Sequence, residues 1–409
     1  MSRKWDSEEA GKEVAKNLLS KMSNKPKFIL LFSTIHYKKN GGFKKLVSSF
    51  DSAFPADVPV IGGTVAGFAC RNGAFTRGVA ALSFSGEMDV AVSIGRNTKR
   101  NSEGAANDAA SSLLSQLASS AYKKGYFISL ISSAKVPNLP VFNKKIVPHF
   151  PGISILISLF EMVSPFLQIG AGKDEQVSKK FGDMLEGFEG IGGASCDNLA
   201  LQDNYQFFNG EVVSNSIVAA AFKTSQPLDV RYSLGMIPSG KKMTITDASG
   251  SGYVIRKINN EPALDAYLKA MGWPRSILDE RLYRKIFYYP LVPTEGEIRE
   301  PRLYGLVYGN SFIFPMRPLL NTELEINTFS GKGLLQTFST MLPEKKKSAF
   351  IVSCGTRLET LGANVFKVVE KLNSSFSSDY LVIYTAGEYN KTGNRSQCLY
   401  LSDNALIVS

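Results

Sequence analysis

The sequence repeats itself, and that limits what it can fold into. Val60-Ile61-Gly62-Gly63-Thr64 is answered 130 residues later by Gly190-Ile191-Gly192-Gly193-Ala194. Downstream of each lies a second match, Asp89–Gly95 against Asp229–Gly235, now 140 residues apart. The second copy thus carries extra residues between its matches, and the polar stretch Leu201–Glu211 reads as a hairpin loop within them. Two blocks kept in one order argue for a duplicated supersecondary unit. Superposition is expected to place Gly62 on Gly192 and Gly95 on Gly235. The apolar runs Val79–Phe84 and Val90–Ile94 are expected to pair as a hairpin, as are Ile217–Phe222 and Val230–Leu234. A third copy is indicated at the C-terminus, where Phe350–Gly355 matches Phe28–Thr34 in character. In both, a helical pattern follows: Phe43, Leu46, Val47 and Phe50 in one, Leu361, Val365, Val368, Val369 and Leu372 in the other. Each then returns to a strand ending in small residues, Val58–Gly63 and Tyr380–Gly387, which is a βαβ spacing. Tyr126–Ile131 opens the middle unit, with a helix over Val177–Phe188. The expected class is α/β (mixed α+β), with duplicated βαβ-plus-hairpin units, mixed sheets and two domains.

At 409 residues the chain exceeds one core. Its expected parts are a basic N-terminal helix over 1–26, a duplicated domain over 27–272, a proline-bearing bridge over 273–302 and a C-terminal domain over 303–409. The net charge is +11, and Met1–Phe50 holds eleven Lys or Arg against four acids. No RNP, zinc-finger or helix-turn-helix pattern accompanies them, so they read as a solvated basic face, and nucleic acid is not an expected partner. The most apolar stretch, Ile146–Ile169, contains His149, Glu161 and three prolines. It reads as a buried helix or strand, and no apolar run reaches the length of a membrane span. The N-terminus lacks an apolar signal core, so the expected location is the cytoplasm. Cys70, Cys196, Cys354 and Cys398 are then reduced thiols, and no CxxC pair supports zinc.

Enzyme signatures are absent: there is no GxxxxGK[ST], HExxH or GxSxG. Gly170-Ala171-Gly172-Lys173 is half a phosphate loop, with Asp174 where a hydroxyl residue belongs. Asp247–Gly252 lacks the acids of a calcium loop and reads as a turn between Met243–Thr246 and Tyr253–Ile258. What remains is a set of polar residues just after strand ends, the edge at which βα units bind ligands. These are Thr34, His36, Gly62, Gly63 and Thr64, then Gly192, Gly193, Ser195, Cys196 and Asp197, then Ser353, Cys354, Arg357, Gly387 and Glu388. An amino acid needs a cation for its carboxylate and an anion for its ammonium. Arg357 could fork onto the first, and Asp197 or Glu388 could accept from the second. The competing reading makes the glycines turn residues and Arg357–Glu388 a structural ion pair. No general base stands at a known spacing from Cys354 or Cys196, so a thiol enzyme built on either is a weaker alternative.

These blocks resemble the FIST family, sensory modules made of an N-terminal and a C-terminal FIST domain. The N-terminal resemblance covers roughly Lys27–Tyr267 and rests on Pro59–Gly67, Gly192–Asp197 and the run from Gly235 to Glu261–Tyr267. The C-terminal resemblance covers roughly Phe287–Ser409. It rests on Tyr289-Pro290-Leu291, Pro318–Leu324, Ser353–Arg357 and Thr385–Glu388. Phe68 stands where relatives often have an acid, and Ser249–Gly252 departs from their usual Gly-Asn. The resemblance implies a cytosolic sensor in signal transduction that binds a small, amino-acid-like ligand and passes its output to a signalling partner protein. Its expected ligand residues are Gly62, Gly63, Thr64, Gly192, Gly193, Ser195, Asp197, Cys354, Arg357 and Glu388, with no metal. Haem is the alternative cofactor that the resemblance implies, for nitric oxide sensing, with His36 or His149 as axial ligand.

Overall fold

A computed structural model describes residues 1–135, 146–147, 159, 162–170, 173–249, 254–277, 285–286, 288–295, 300–302, 306–313, 320–342 and 345–408. His149 and most of the apolar stretch 146–169 lie outside these residues. Within that stretch, Met162, Phe166 and Leu167 are exposed rather than buried.

The repeat is threefold. Helix α1 (Ser7–Leu19) precedes strand β1 (Phe28–Ser33), helix α2 (Gly42–Asp51) and strand β2 (Val60–Thr64), which runs parallel to β1. A hairpin of β3 (Gly67–Cys70) and β4 (Gly73–Phe75) follows, then β5 (Val79–Phe84), antiparallel to β1, and β6 (Met88–Arg96). The second unit has the same order: α3 (Ser102–Gln116), β7 (Lys124–Ser132), the short β8 (Ile146–Val147), α4 (Asp174–Met184), β9 (Phe188–Ser195), the hairpin β10 (Gln206–Phe208) and β11 (Glu211–Val213), β12 (Ser216–Thr224) and β13 (Leu228–Ser233). Between the second and third units sits an extra sheet. Its strands are β14 (Met236–Ala248), β15 (Val254–Ile258), β16 (Glu261–Pro262), β17 (Leu291–Pro293), β18 (Leu306–Tyr308), β19 (Ser311–Ile313) and β20 (Glu323–Phe329), with helix α5 (Ala263–Met271). The third unit is α6 (Gly331–Met341), β21 (Ser348–Cys354), α7 (Gly355–Leu361), α8 (Val365–Ser375), β22 (Tyr380–Thr385), the hairpin β23 (Glu388–Thr392) and β24 (Arg395–Cys398), and β25 (Asp403–Val408).

The three units exchange strands in a cycle. The hairpin β10–β11 of the second unit joins the first sheet on β2, β23–β24 of the third joins the second sheet on β9, and β3–β4 of the first joins the third sheet on β22. Strand β6 leaves its own unit to pair with β12, and β13 leaves its unit to pair with β25. The expected hairpins β5/β6 and β12/β13 therefore do not form, because each fourth strand finds its partner in the neighbouring sheet. Three equivalent backbone bonds close the cycle: Cys196 N–H to the Thr64 carbonyl (2.9 Å), Ala66 N–H to Tyr384 (2.9 Å) and Ala386 N–H to Ala194 (3.1 Å). The inner faces of the sheets share one core, with Phe28, Leu30 and Phe32 meeting Tyr126, Ile128 and Leu130 and also Phe350 and Val352. Helix pairs cover the outer faces. Helix α1 uses Ala10, Val14 and Ala15 for this, so part of the basic N-terminal segment belongs to the first unit's own core.

The sequence matches locate these units with one slip. Gly62 and Gly192 hold the same place, opposite Leu31 and Ser129 on one side and Phe207 and Tyr389 on the other. Gly95 lies inside β6 opposite Ile217, whereas Gly235, with φ of 66°, lies past the end of β13. Ser233 is the structural partner of Gly95, since Ile217 and Asp403 occupy equivalent positions. A shift of two keeps the same face of a strand, which is why the false register looked convincing. The extra residues of the second copy are Asp197–Asn204, inserted where Ala66-Gly67 and Ala386-Gly387 are adjacent.

The paired glycines serve close packing. A Cβ on Gly62 would stand 1.8 Å from the Leu31 carbonyl oxygen, and one on Gly63 would stand 2.4 Å from that of Tyr205. Neither backbone atom can yield without breaking the sheet. Gly62→Ala is expected to cost about 2–3 kcal/mol by overpacking, read as a lower midpoint in urea unfolding; an unchanged midpoint would refute this account of the pair.

The extra sheet has its own core of Ile245, Ile255, Tyr267, Phe312 and Ile326. Leu291–Pro293, within the stretch expected to bridge two domains, pairs with β20, and Ile286 is fully buried in this core. Among the described residues no helix is long and apolar enough to cross a membrane.

Candidate functional site

The parallel strands of all three sheets end near the closing bonds of the cycle, so their carboxyl edges hold most of the buried polar side chains. At the third sheet, Arg357 lies in the first turn of α7. Its Nη1 sits 2.7 Å from Asp403 Oδ2, and its Nη2 donates to the carbonyls of Leu234 (2.9 Å) and Leu401 (2.7 Å). Ser353 and Thr337 hydroxyls donate to the two Asp403 oxygens at 2.6 and 2.9 Å. Arg357 is thus matched by the protein itself, and its ion-pair partner is Asp403 rather than Glu388. Asp197 is also occupied: its carboxylate accepts from the backbone N–H groups of Leu201 (3.0 Å), Gln202 (2.9 Å) and Asp203 (3.3 Å), fixing the inserted loop.

Glu388 is different. It is fully buried opposite Gly193, its Oε1 accepts from Thr385 at 3.0 Å, and its Oε2 has no hydrogen-bond partner among the described residues. Burial raises its pKa to about 8, against the opposing pull of the Thr385 hydroxyl and the Arg357 charge, so the folded protein holds this proton more tightly than a free carboxyl would. Phe68, Gln206 and Glu388 are equivalent in the three units, each opposite the same position of its neighbour's second strand. The acid missing at Phe68 thus has polar counterparts in the other two units.

Cys354 and Cys196 lie beside this cluster. Burial pushes both thiols up, and the nearby Glu388 and Asp197 carboxyls add to the effect. Such thiols are poor nucleophiles at neutral pH. Of the predicted residues, the structure gathers Gly193, Cys354, Arg357 and Glu388 into one cluster. That cluster is buried and closely packed: a Cβ on Gly193 would meet Thr385 at 2.7 Å and Val352 at 2.8 Å. Thr64 sits at the first sheet's edge, where its hydroxyl accepts from Tyr205 N–H at 3.0 Å. Backbone strain also collects at these edges, where Leu199, Leu201 and Leu401 have φ of 66°, 56° and 66°.

The carboxyl edge of the second sheet carries the most unusual group. Lys99 follows β6 and is 1% exposed. Its ammonium donates to Ser132 Oγ (3.0 Å) and Asn215 Oδ1 (2.8 Å), both neutral, and it makes no ion pair among the described residues. A polar chain continues from Ser132 to Asn204 (2.6 Å) and through Gln206 to Ser195, whose hydroxyl donates to the Ile131 carbonyl at 3.1 Å. Burial lowers the Lys99 pKa to about 7, while Asp174 pulls it up and Lys135 down. Asp174, at the start of α4, accepts from Tyr389 and Tyr400 hydroxyls, and burial raises its pKa. Ser195 was foreseen from the sequence, whereas Lys99, Asp174 and Gln206 were not. A buried ammonium without a counter-charge is costly, and an anion arriving here would offset that cost.

His36 is exposed on a 3-10 turn, with Nδ1 3.2 Å from Thr34 Oγ1. An exposed imidazole lacks the enclosed surroundings that hold a haem, so His36 does not fit that role. Among the described residues no group of three or more His, Cys, Asp and Glu is arranged to hold a metal ion.

Comparison with known families gives a match to the FIST N domain over residues 27–261, which spans the first two units and the opening strands of the extra sheet. No curated protein matches the chain.

Proposed function

The chain belongs to the FIST family of sensory domains, which are linked to signal transduction and small-ligand binding, and from that premise we propose that it senses an amino-acid-like ligand at the carboxyl edge of the second sheet. Lys99 would take the ligand's carboxylate, Asp174 its ammonium, and Ser132, Asn204 and Gln206 would fix its orientation. The observation that carries this reading is the buried Lys99 ammonium, which has two neutral hydrogen-bond acceptors and no ion-pair partner among the described residues, Asp174 acting on it only from beyond contact. Output would pass to a signalling partner protein. Binding at this edge can reach such a partner through the shared strands, because Gln206 belongs to a hairpin that completes the first sheet.

A thermal-shift screen of free amino acids against the full chain tests this, since a ligand selective for the native state raises its apparent stability. The shift is expected to vanish in Lys99→Met. The unliganded variant should be as stable as the parent or more so, because it no longer buries an unpaired amine. The ligand carboxylate should also raise the Lys99 pKa from about 7, so binding at pH 8 should take up a proton. That uptake is read in calorimetry as a heat that depends on the buffer. A ligand that shifts parent and variant equally, or a screen in which no amino acid shifts the parent, would reject the assignment.

A further inference from the structure

At the opposite, amino ends of β1 and β2, on the seam between the first two units, a cleft of about 1110 Å³ opens. Its apolar wall includes Phe54, Pro55, Met88 and Val90. Two helices end on it: Asp51 and Ser52 close α2, and Gln116 and Leu117 close α3. Helix carboxyl ends carry partial negative charge and favour cations. Asp51 is therefore a side chain out of place, an acid at the negative end of its own helix. Its Oδ1 is withdrawn from solvent and has no hydrogen-bond partner among the described residues. The lining cations do not answer it: Lys25 is paired with Asp57 at 2.6 Å, and Lys27 is exposed and makes no ion pair with Asp51. Asp89, the remaining acid of the wall, accepts from Ser120 at 2.7 Å.

We infer that this cleft is a second ligand site and that it takes a primary ammonium carried on an apolar body. The ammonium would lie by the Asp51 carboxylate at the end of α2, and the apolar body would lie against Phe54, Pro55 and Met88; the end of α3 already has a cation, since Lys223 Nζ donates to the Leu117 carbonyl at 3.4 Å. Burial raises the Asp51 pKa to about 6, as expected of a carboxylate with no ion-pair partner among the described residues. The inference does not rest on the amino-acid site, which lies at the other edge of the sheets.

The test is calorimetric titration of the full chain with 2-phenylethylamine at pH 7.5, beside 2-phenylethanol and 3-phenylpropanoate. The amine is expected to bind and the alcohol and acid to bind far more weakly. Asp51→Asn keeps the shape and removes the charge, and should weaken the amine roughly tenfold or more, the usual worth of a charged hydrogen bond. Ser119→Arg places a cation on the exposed wall of the same cleft and should weaken it similarly without touching a buried group. It decides the matter if Asp51→Asn folds poorly. Lys99→Met should leave amine binding unchanged, so failure of one site is distinguishable from failure of the other. Equal binding of amine and alcohol, or amine affinity unchanged in Ser119→Arg and in a folded Asp51→Asn, would overturn the inference.

Discussion

Arg357→Ala is expected to lose about 3–5 kcal/mol of folding stability, because it breaks a buried ion pair and strands the other charge. Asp403 is fully buried, and two hydroxyls and one guanidinium answer its carboxylate. Without Arg357 that carboxylate must stay charged and uncompensated or take up a proton, and the Leu234 and Leu401 carbonyls lose a donor as well. The partners join five segments: α6, the strand β21, α7, the strand β25 and the chain leaving β13. The loss should therefore be global, seen as a lower midpoint in guanidinium unfolding with one cooperative transition. A neutral effect on stability coupled to loss of a ligand's thermal shift would instead make Arg357 a ligand residue, as its position after a strand end suggested from the sequence.

The second large effect concerns Glu388 and pH. Its folded-state pKa of about 8 lies above the ordinary value of 4.5, so the folded protein holds this proton more tightly than the unfolded chain does. The stability this group confers is full below about pH 4.5 and is lost as pH rises through about 8. The change amounts to a few kcal/mol, on the order set by the linkage between pKa and stability. Glu388→Gln retains a neutral, hydrogen-bonding group and should be independent of this titration. Measured against the parent, the variant should gain relative stability between about pH 4.5 and pH 8 and level off above that. Parallel stability curves would show that Glu388 is ionised in the folded protein and that a donor answers Oε2.

Much of the frame could be read from the chain. Alternating and helical apolar patterns gave β1, α2 and β2, and the Gly-Gly pairs marked the equivalent strands β2 and β9. The mixed α/β class follows from those patterns, and the structure has it. The exchange of strands could not be read in the same way. Whether Val90–Ile94 pairs with its neighbour in sequence or with Phe222 and Val218 depends on the shape of the whole ring, and the local pattern is identical in both cases. The site suffered from the same limit. Asn97-Thr98-Lys99-Arg100 looks like any solvated turn, and only the packing of Ser132 and Asn215 around it reveals a buried amine. Arg357 and Asp403 stand 46 positions apart, so their pairing was hidden while the more conspicuous Glu388 drew attention as a partner.

The cyclic sharing of hairpins also bears on how the chain reaches its native state. Gly67 must find Tyr384, and Leu228 must find Val408, before the third sheet is complete. Contacts so distant in sequence fold slowly, since a long loop must close before any pairing rewards it. Until the last unit has emerged during synthesis, the β3–β4 hairpin has no sheet to join and β9 has an open edge. Unpaired edges of this kind invite pairing with other chains. The lifetime of the nascent chain on the ribosome, rather than the stability of the finished ring, would then set how much active protein a cell obtains.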